Sequence, residues 1–220
     1  MNTYSITPLM SALLFMTFGI IVVLFGKDAK LKIPFFLLCL TTAWWQGSWT
    51  VLFNTTNPKI TLFLVRFGYS GIIFIPVAFY HFVIGWLGTK REKEFIFVGY
   101  ILGIIFLLFN WMSDYFISGY YMYFWGYYPK ANWLHFVYLL IITLSIIYMA
   151  IVLRRHLRTK GTIAFKRLQV KYVLFIMLIY ATGASDFLVN YGIEFYPLGF
   201  IPISICLVLC SYVIIRYRLM

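Results

Sequence analysis

Residues 134–171 read LHFVYLLIITLSIIYMAIVLRRHLRTKGTIAFKRLQVK, and this stretch decides the fold. Its first twenty residues, as far as Leu153, are almost entirely apolar. About 20 apolar residues are enough for a helix to cross the hydrocarbon core of a bilayer. The remainder, from Arg154 to Lys171, holds seven cations and no acid. Because cationic loops stay on the cytoplasmic side, the stretch predicts a transmembrane helix whose C-terminal end lies in the cytosol.

The same alternation of apolar and cationic stretches continues through the whole chain. Fifteen of the eighteen Lys and Arg residues fall in four short stretches, which are three alternate gaps between seven apolar segments and the end of the last segment. The predicted spans cover about residues 6–25, 33–53, 61–87, 95–111, 134–153, 170–190 and 197–215. The pattern predicts an all-α membrane protein with one domain, residues 1–220. That domain is a seven-transmembrane helix bundle with its N-terminus outside and its C-terminus in the cytosol.

The composition excludes a soluble globular protein. The chain is 63% hydrophobic and 11% charged, with a mean hydropathy of +0.91, which is more apolar surface than a soluble core of 220 residues can bury. The net charge of +12 reflects the cationic loops that membrane insertion requires, so we expect membrane lipids, and not nucleic acid, as partners. No cationic residue precedes the first apolar stretch, which predicts an uncleaved helix.

The longest outer segment, residues 112–133, contains ten aromatic residues. Gly119 and Gly126 bracket six residues, five of them aromatic, and this pattern predicts a short β-hairpin across the outer mouth, between helices four and five. The alternative is an aromatic belt at the lipid headgroups, where Tyr and Trp accumulate. Pro76 lies inside the third span, where we expect it to kink the helix and to free a carbonyl that a neighbouring helix satisfies.

Two residues of opposite charge lie inside the predicted spans. Arg66 and Asp186 are each about five residues from the outer end of a span, or roughly 7–8 Å below the boundary at 1.5 Å per residue. Gln46 is slightly deeper, and Asn190 is one turn outward of Asp186. Because a charge inside a membrane is costly, the matched depths predict an ion pair between spans three and six.

Three interpretations of these polar residues stay open. The ion pair is purely structural, or Arg66 snorkels to the interface, or the residues line an outward-opening pocket for the head of a small or lipid-like ligand. Trp45 and Trp49 are spaced to wall such a pocket. The candidate ligand-binding residues are Trp45, Gln46, Trp49, Arg66, Asp186 and Asn190.

The remaining chemistry-bearing residues do not form a catalytic or metal site in the sequence. His81, His135 and His156 are expected at different depths, so they do not share a metal. The seventh span contains no Lys that would form a Schiff base with retinal. Without a phosphate loop, a metalloprotease motif or a close pair of carboxylates, we expect no cofactor and no enzymatic activity.

Several motifs, taken in order, form a distinctive set. They are Trp44-Trp45, Arg66 with Pro76 and Tyr80-His81-Phe82, Arg167-Leu168-Gln169, Asp186 with Gly192, Tyr196-Pro197 and Gly199, and residues 212–219 at the C-terminus. Together they resemble one family, the seven-helix N-terminal sensor region of bacterial membrane histidine kinases. The resemblance implies a sensor in the bacterial cytoplasmic membrane whose last helix relays a ligand signal toward a kinase core. It also implies that such sensors act as dimers.

The resemblance leaves the output of this chain open. The chain ends at Met220, where such kinases continue, and it holds no phospho-accepting His and no ATP site. The resemblance therefore implies either a truncated kinase or a stand-alone relative that signals through a cytosolic kinase or a partner subunit. Two rival functions remain: an accessory subunit of a larger membrane complex, and a small transporter, although transporter-type repeats are missing.

Overall fold

The computed structural model describes residues 2–26, 28–89, 92–158 and 164–216. Its α-helices are α1 (Ile6–Phe25), α2 (Ala29–Asn54), α3 (Pro58–Ile72), α4 (Ile75–Leu87), α5 (Lys93–Met112), α6 (Trp133–Arg158), α7 (Ala164–Thr182) and α8 (Phe200–Arg216). A 3-10 segment, Gly183–Tyr191, continues α7, and another, Thr3–Ser5, precedes α1. The strands β1 (Ile117–Tyr123) and β2 (Gly126–Ala131) lie between α5 and α6.

Within the described residues, five helical stretches are long and apolar enough to cross a membrane. They are Thr3–Phe25, Pro58–Leu87, Lys93–Met112, Trp133–Arg158 and Arg167–Tyr191. Many of their large apolar side chains point outward: Phe97 is 69% exposed and Leu144 is 58% exposed. So much apolar surface is unfavourable in water and favourable in hydrocarbon. The molecule is an integral membrane protein built mainly from helices.

Helix α2 lies at the centre of the bundle, in contact with α1, α3 and α4. Phe35 and Leu52 are fully buried in it, and its polar side chains Thr42, Gln46 and Ser48 are buried as well. Because these faces of α2 pack against protein and not lipid, the helix tolerates these polar groups. This explains why α2, with its 26 residues, is less apolar than the five stretches above.

Pro76 divides the third predicted span into two helices. Helix α3 ends at Ile72 and α4 begins at Ile75. Proline has no backbone N–H, so the carbonyl of Ile72 loses its usual donor four residues later. The Tyr138 hydroxyl of α6 donates to this carbonyl at 3.0 Å. This contact confirms the prediction that Pro76 frees a carbonyl and that a neighbouring helix satisfies it.

Replacing Tyr138 by phenylalanine should lower the apparent unfolding temperature, because the buried Ile72 carbonyl loses a donor at a cost of about 1–3 kcal/mol. In a Pro76→Ala background, position 76 regains an N–H that can reach the same carbonyl. The same Tyr138→Phe change should then cost much less. Thermal unfolding of the wild type, both single variants and the double variant measures this difference. If Tyr138→Phe lowers the unfolding temperature equally in the two backgrounds, the Tyr138 hydroxyl does not replace the N–H that Pro76 lacks.

Two glycines bring α5 close to α4. A Cβ atom at Gly103 would lie 2.7 Å from the Phe74 ring, and one at Gly99 would lie 2.7 Å from Val77. Any larger residue at either position forces the helices apart. The Gly99–Gly103 pair therefore packs against a helix of its own chain.

The strands β1 and β2 pair in antiparallel register, with Tyr123 opposite Gly126. Trp125, in the turn, is fully buried, and Gly126 adopts φ +138, where a Cβ would lie 3.2 Å from the backbone of Phe53. The side-chain amide of Asn2 donates to the carbonyls of Phe53 (2.9 Å) and Trp125 (2.6 Å). The N-terminal segment, the end of α2 and the hairpin thus form one connected layer, and we call this end of the bundle the hairpin end.

Candidate functional site

The carboxylate of Asp186 holds the start of the last helix. Asp186 is only 6% exposed, and its two oxygens accept the Gly199 N–H at 2.9 and 3.0 Å. Gly199 immediately precedes α8, so the carboxylate lies at the positive end of the helix dipole. A Cβ at Gly199 would overlap the Asp186 carboxylate, so the close approach requires glycine here. We call this contact the α8 latch.

Four of the six candidate residues come together beside the latch. Trp45, Gln46 and Trp49 of α2 line a void with Asp186 at the hairpin end. The void measures about 10 Å³, which is room for about one water molecule. The indole Nε1 of Trp45 is buried and has no hydrogen-bond partner among the described residues. The arrangement is a nearly closed aromatic cleft with one buried carboxylate in its wall.

Tyr128 of the hairpin packs against two residues that line this cleft. Its ring packs edge-on to Trp49 at 5.8 Å between centroids and stacks on Phe53 at 6.3 Å. Burial, with a further contribution from the nearby Asp186 carboxylate, raises the pKa of the Tyr128 phenol well above its usual value. Tyr128 therefore remains a neutral hydroxyl at physiological pH. The side chain that the hairpin places behind the cleft wall is aromatic and uncharged.

Arg66 is bound elsewhere, at the end of α5. Its guanidinium donates to the carbonyls of Trp111 (3.2 Å), Ser113 (3.2 Å) and Ile117 (3.3 Å), and to Asp114 Oδ1 at 2.6 Å. The last carbonyls of a helix lack intrahelical donors and form the negative end of its dipole. Arg66 supplies donors to the carbonyls of Trp111 and Ser113 at this helix end, and it also reaches Ile117 at the start of β1. The prediction of an ion pair between Arg66 and Asp186 is wrong, because Arg66 pairs with Asp114.

The hydrogen bonds from Arg66 to backbone carbonyls should stabilise the fold more than its ion pair with Asp114 does. Asp114 is 76% exposed, and exposed ion pairs contribute about 0–1 kcal/mol. Arg66 itself is only 14% exposed, so Arg66→Met leaves several carbonyls without donors, at about 1–3 kcal/mol each. We expect Arg66→Met to lower the apparent unfolding temperature by several degrees and Asp114→Asn to change it little. Similar losses in the two variants would show that the ion pair dominates.

Asn190 belongs to a buried polar chain that sequence reasoning missed. Its side-chain amide donates to the Tyr69 hydroxyl at 2.7 Å, and that hydroxyl lies 3.0 Å from His135 Nε2. The other ring nitrogen, His135 Nδ1, is hydrogen-bonded to the Tyr191 hydroxyl at 2.8 Å. This chain ties α3, α6 and the Gly183–Tyr191 segment together.

Few sequence signals pointed to this run of buried hydrogen bonds. His135 is polar and fully buried, and it was considered only as a metal ligand. Tyr69 and Tyr191 resemble the many other tyrosines that mark a membrane interface. Their pairing depends on how the helices are rotated about their axes, which a count of residues from a boundary does not give.

A family model described as the N-terminal 7TM region of histidine kinase matches residues 8–220. No curated protein and no solved structure matches the chain significantly. The matched range includes both the α8 latch and the polar chain around His135. The candidate site therefore lies within the region that the family model covers, whereas the Asn2 contacts at the hairpin end precede it.

Proposed function

The chain belongs to the family of N-terminal 7TM regions of histidine kinases, and from this premise we propose that it is a membrane sensor that relays a ligand signal to a cytosolic kinase domain. Such a region is the non-catalytic part of a histidine kinase. In this proposal the bundle has seven spans in the bacterial cytoplasmic membrane, with the hairpin end outside. The cations Lys30, Lys93 and Arg154 at the opposite end support that orientation.

The observation that carries the proposal is the α8 latch. Asp186 lines the aromatic cleft and also holds the Gly199 N–H at the start of α8. In the proposed topology, α8 is the last span and leads toward the kinase. One side chain therefore belongs both to the candidate ligand site and to the helix that would carry the signal.

In the proposed mechanism, a hydrophobic or amphiphilic ligand enters between α2 and the Gly183–Tyr191 segment, beneath the hairpin. The void of about 10 Å³ must widen to admit it, so the ligand binds a more open arrangement than the one described. Widening pulls Asp186 away from Gly199 and releases the start of α8. A ligand shifts such an equilibrium only through its different affinities for the two arrangements, typically by 1–3 kcal/mol.

The test is a fusion of this chain to an active kinase core, with Asp186→Ala compared against Asp114→Ala. Asp114 is also an acid at the hairpin end, but it is exposed and lies apart from the latch. Basal autophosphorylation per molecule in membranes is the readout, normalised to the amount of inserted protein. If both variants signal like the wild-type fusion, the latch does not relay a signal.

A further inference from the structure

An apolar cavity lies between α4, α5 and α6, away from the aromatic cleft. Its volume is about 310 Å³, which is at the lower end of the range of small-molecule sites. It is lined almost entirely by apolar side chains and is partly open at the surface. Several lining residues, such as Val98 and Leu144, are themselves about half exposed on the apolar face of the bundle. The opening therefore faces the hydrocarbon of the bilayer.

The cavity is long. Along α5 its lining extends from Phe95 to Phe106, or roughly 16 Å at 1.5 Å per residue. Aromatic pairs mark its two ends: Phe106 with Tyr138 at 5.2 Å, and Phe95 with Tyr148 at 5.1 Å. A hydrocarbon chain lying along α5 would contact this apolar lining over its whole length, with carbon contacts near 4 Å.

One end of the cavity is polar. The Tyr148 hydroxyl donates to Glu92 Oε2 at 2.5 Å, and Glu92 is only 7% exposed. Tyr80 lines the cavity at the same end and is also 7% exposed. Within the part of the chain that the structure describes, its hydroxyl has no hydrogen-bond partner. A buried hydroxyl without a partner is costly, so this atom indicates a missing polar group.

We propose that this cavity binds a single aliphatic chain that carries a neutral hydroxyl head, with the head at Tyr80 and the tail directed toward Phe106. The opening to hydrocarbon brings the ligand in from the bilayer, and the length of the lining accommodates an extended chain. The site is separate from the aromatic cleft, and it stands whether or not the α8 latch relays a signal.

The acidic side chain at the polar end favours a neutral head. Tyr80 lies close enough to Glu92 and Tyr148 to interact with them electrostatically. A ligand carboxylate would bring a second acidic group to the buried Glu92 carboxyl, which already accepts the Tyr148 hydroxyl. A hydroxyl can accept the Tyr80 proton and donate its own proton to an oxygen nearby. A hydrocarbon without a head leaves the Tyr80 hydroxyl unsatisfied.

The test uses the purified chain in nanodiscs, tritiated dodecanol as the probe, and empty nanodiscs to subtract partitioning into lipid. We expect saturable binding, with unlabelled dodecanol competing better than dodecane or dodecanoate at neutral pH. Tyr80→Phe should weaken dodecanol binding about tenfold, the effect of losing one buried hydrogen bond. The same variant should unfold at the wild-type temperature or above it, because the hydroxyl is unpartnered.

Two further variants locate the binding. Tyr100→Phe removes a hydroxyl that contacts His81 at 3.2 Å outside the cavity, and it should bind dodecanol like the wild type. Ser145→Leu fills the cavity from an exposed position on α6 and should abolish saturable binding. The proposal is overturned if dodecanoate competes best, if Tyr80→Phe binds as tightly as the wild type, or if Ser145→Leu leaves binding unchanged. Absence of saturable binding to the wild type also overturns it.

Discussion

Replacing Asp186 by alanine in the kinase fusion is expected to change basal autophosphorylation by about 5- to 150-fold. The change removes the acceptor of the buried Gly199 N–H, and leaving a buried donor unsatisfied costs about 1–3 kcal/mol. If that cost falls on only one of two positions of α8, the equilibrium between them shifts by the same energy, and 1–3 kcal/mol corresponds to 5–150-fold. Asp186→Asn should have a smaller effect because its amide oxygen still accepts one bond.

Gly199→Ala provides an independent way to break the same contact. An added Cβ would overlap the Asp186 carboxylate, so the carboxylate must move away from the start of α8. Gly199→Ala and Asp186→Ala should therefore shift autophosphorylation in the same direction, while Asp114→Ala leaves it unchanged. If autophosphorylation shifts in opposite directions in the two latch variants, loss of the Asp186–Gly199 contact is not what changes α8.

The membrane class of the protein followed from the sequence because it depends on composition and on loop charge. Runs of apolar residues and clusters of cations are local properties, and they need no knowledge of which helices touch. The carbonyl freed by Pro76 was predictable for the same reason, since the missing N–H belongs to the proline itself. Its donor, Tyr138, lies 66 positions from Ile72 and was not predictable.

The error about Arg66 shows where residue counting fails. Distance from a predicted boundary gives the depth of a residue, and depth alone suggested that Arg66 faces Asp186. It does not give the direction in which the side chain points around the helix axis. In the structure that direction leads to α5, where unsatisfied carbonyls and Asp114 supply the partners. The carboxylate of Asp186, in turn, is satisfied by a backbone N–H, a donor that every position offers.

Gln46 and Asp186 were predicted to line a site because polar and charged groups are costly inside a membrane, and Trp45 and Trp49 because they are spaced i,i+4 on one helix. The cavity between α4, α5 and α6 was not predicted, since its walls are ordinary apolar residues. An empty space arises from the packing of whole helices. Among its lining residues, Tyr80 stands out because its buried hydroxyl has no partner among the described residues. That lack of a partner can be seen only when the neighbouring residues are known.

Replacing Tyr69 by phenylalanine is expected to lower the free energy of unfolding by about 2–6 kcal/mol. Its hydroxyl bonds both His135 and Asn190, which are 0% and 2% exposed. Without it, both partners lose a bond in a site that water does not reach, at about 1–3 kcal/mol each. The apparent unfolding temperature in detergent measures the loss. Tyr115→Phe, which removes a hydroxyl from a 55% exposed side chain, is the matched control and should change little.

A second substitution separates loss of hydrogen bonds from loss of packing. Asn190 Oδ1 is already buried without a partner among the described residues. Once the bond to Tyr69 is gone as well, the Asn190 amide contributes little to stability. Replacing both members of a buried pair by apolar groups of similar shape is often nearly neutral. Adding Asn190→Leu to Tyr69→Phe should therefore recover part of the lost stability. If the double variant is less stable than Tyr69→Phe alone, packing around Asn190, and not its unsatisfied amide, dominates this part of the bundle.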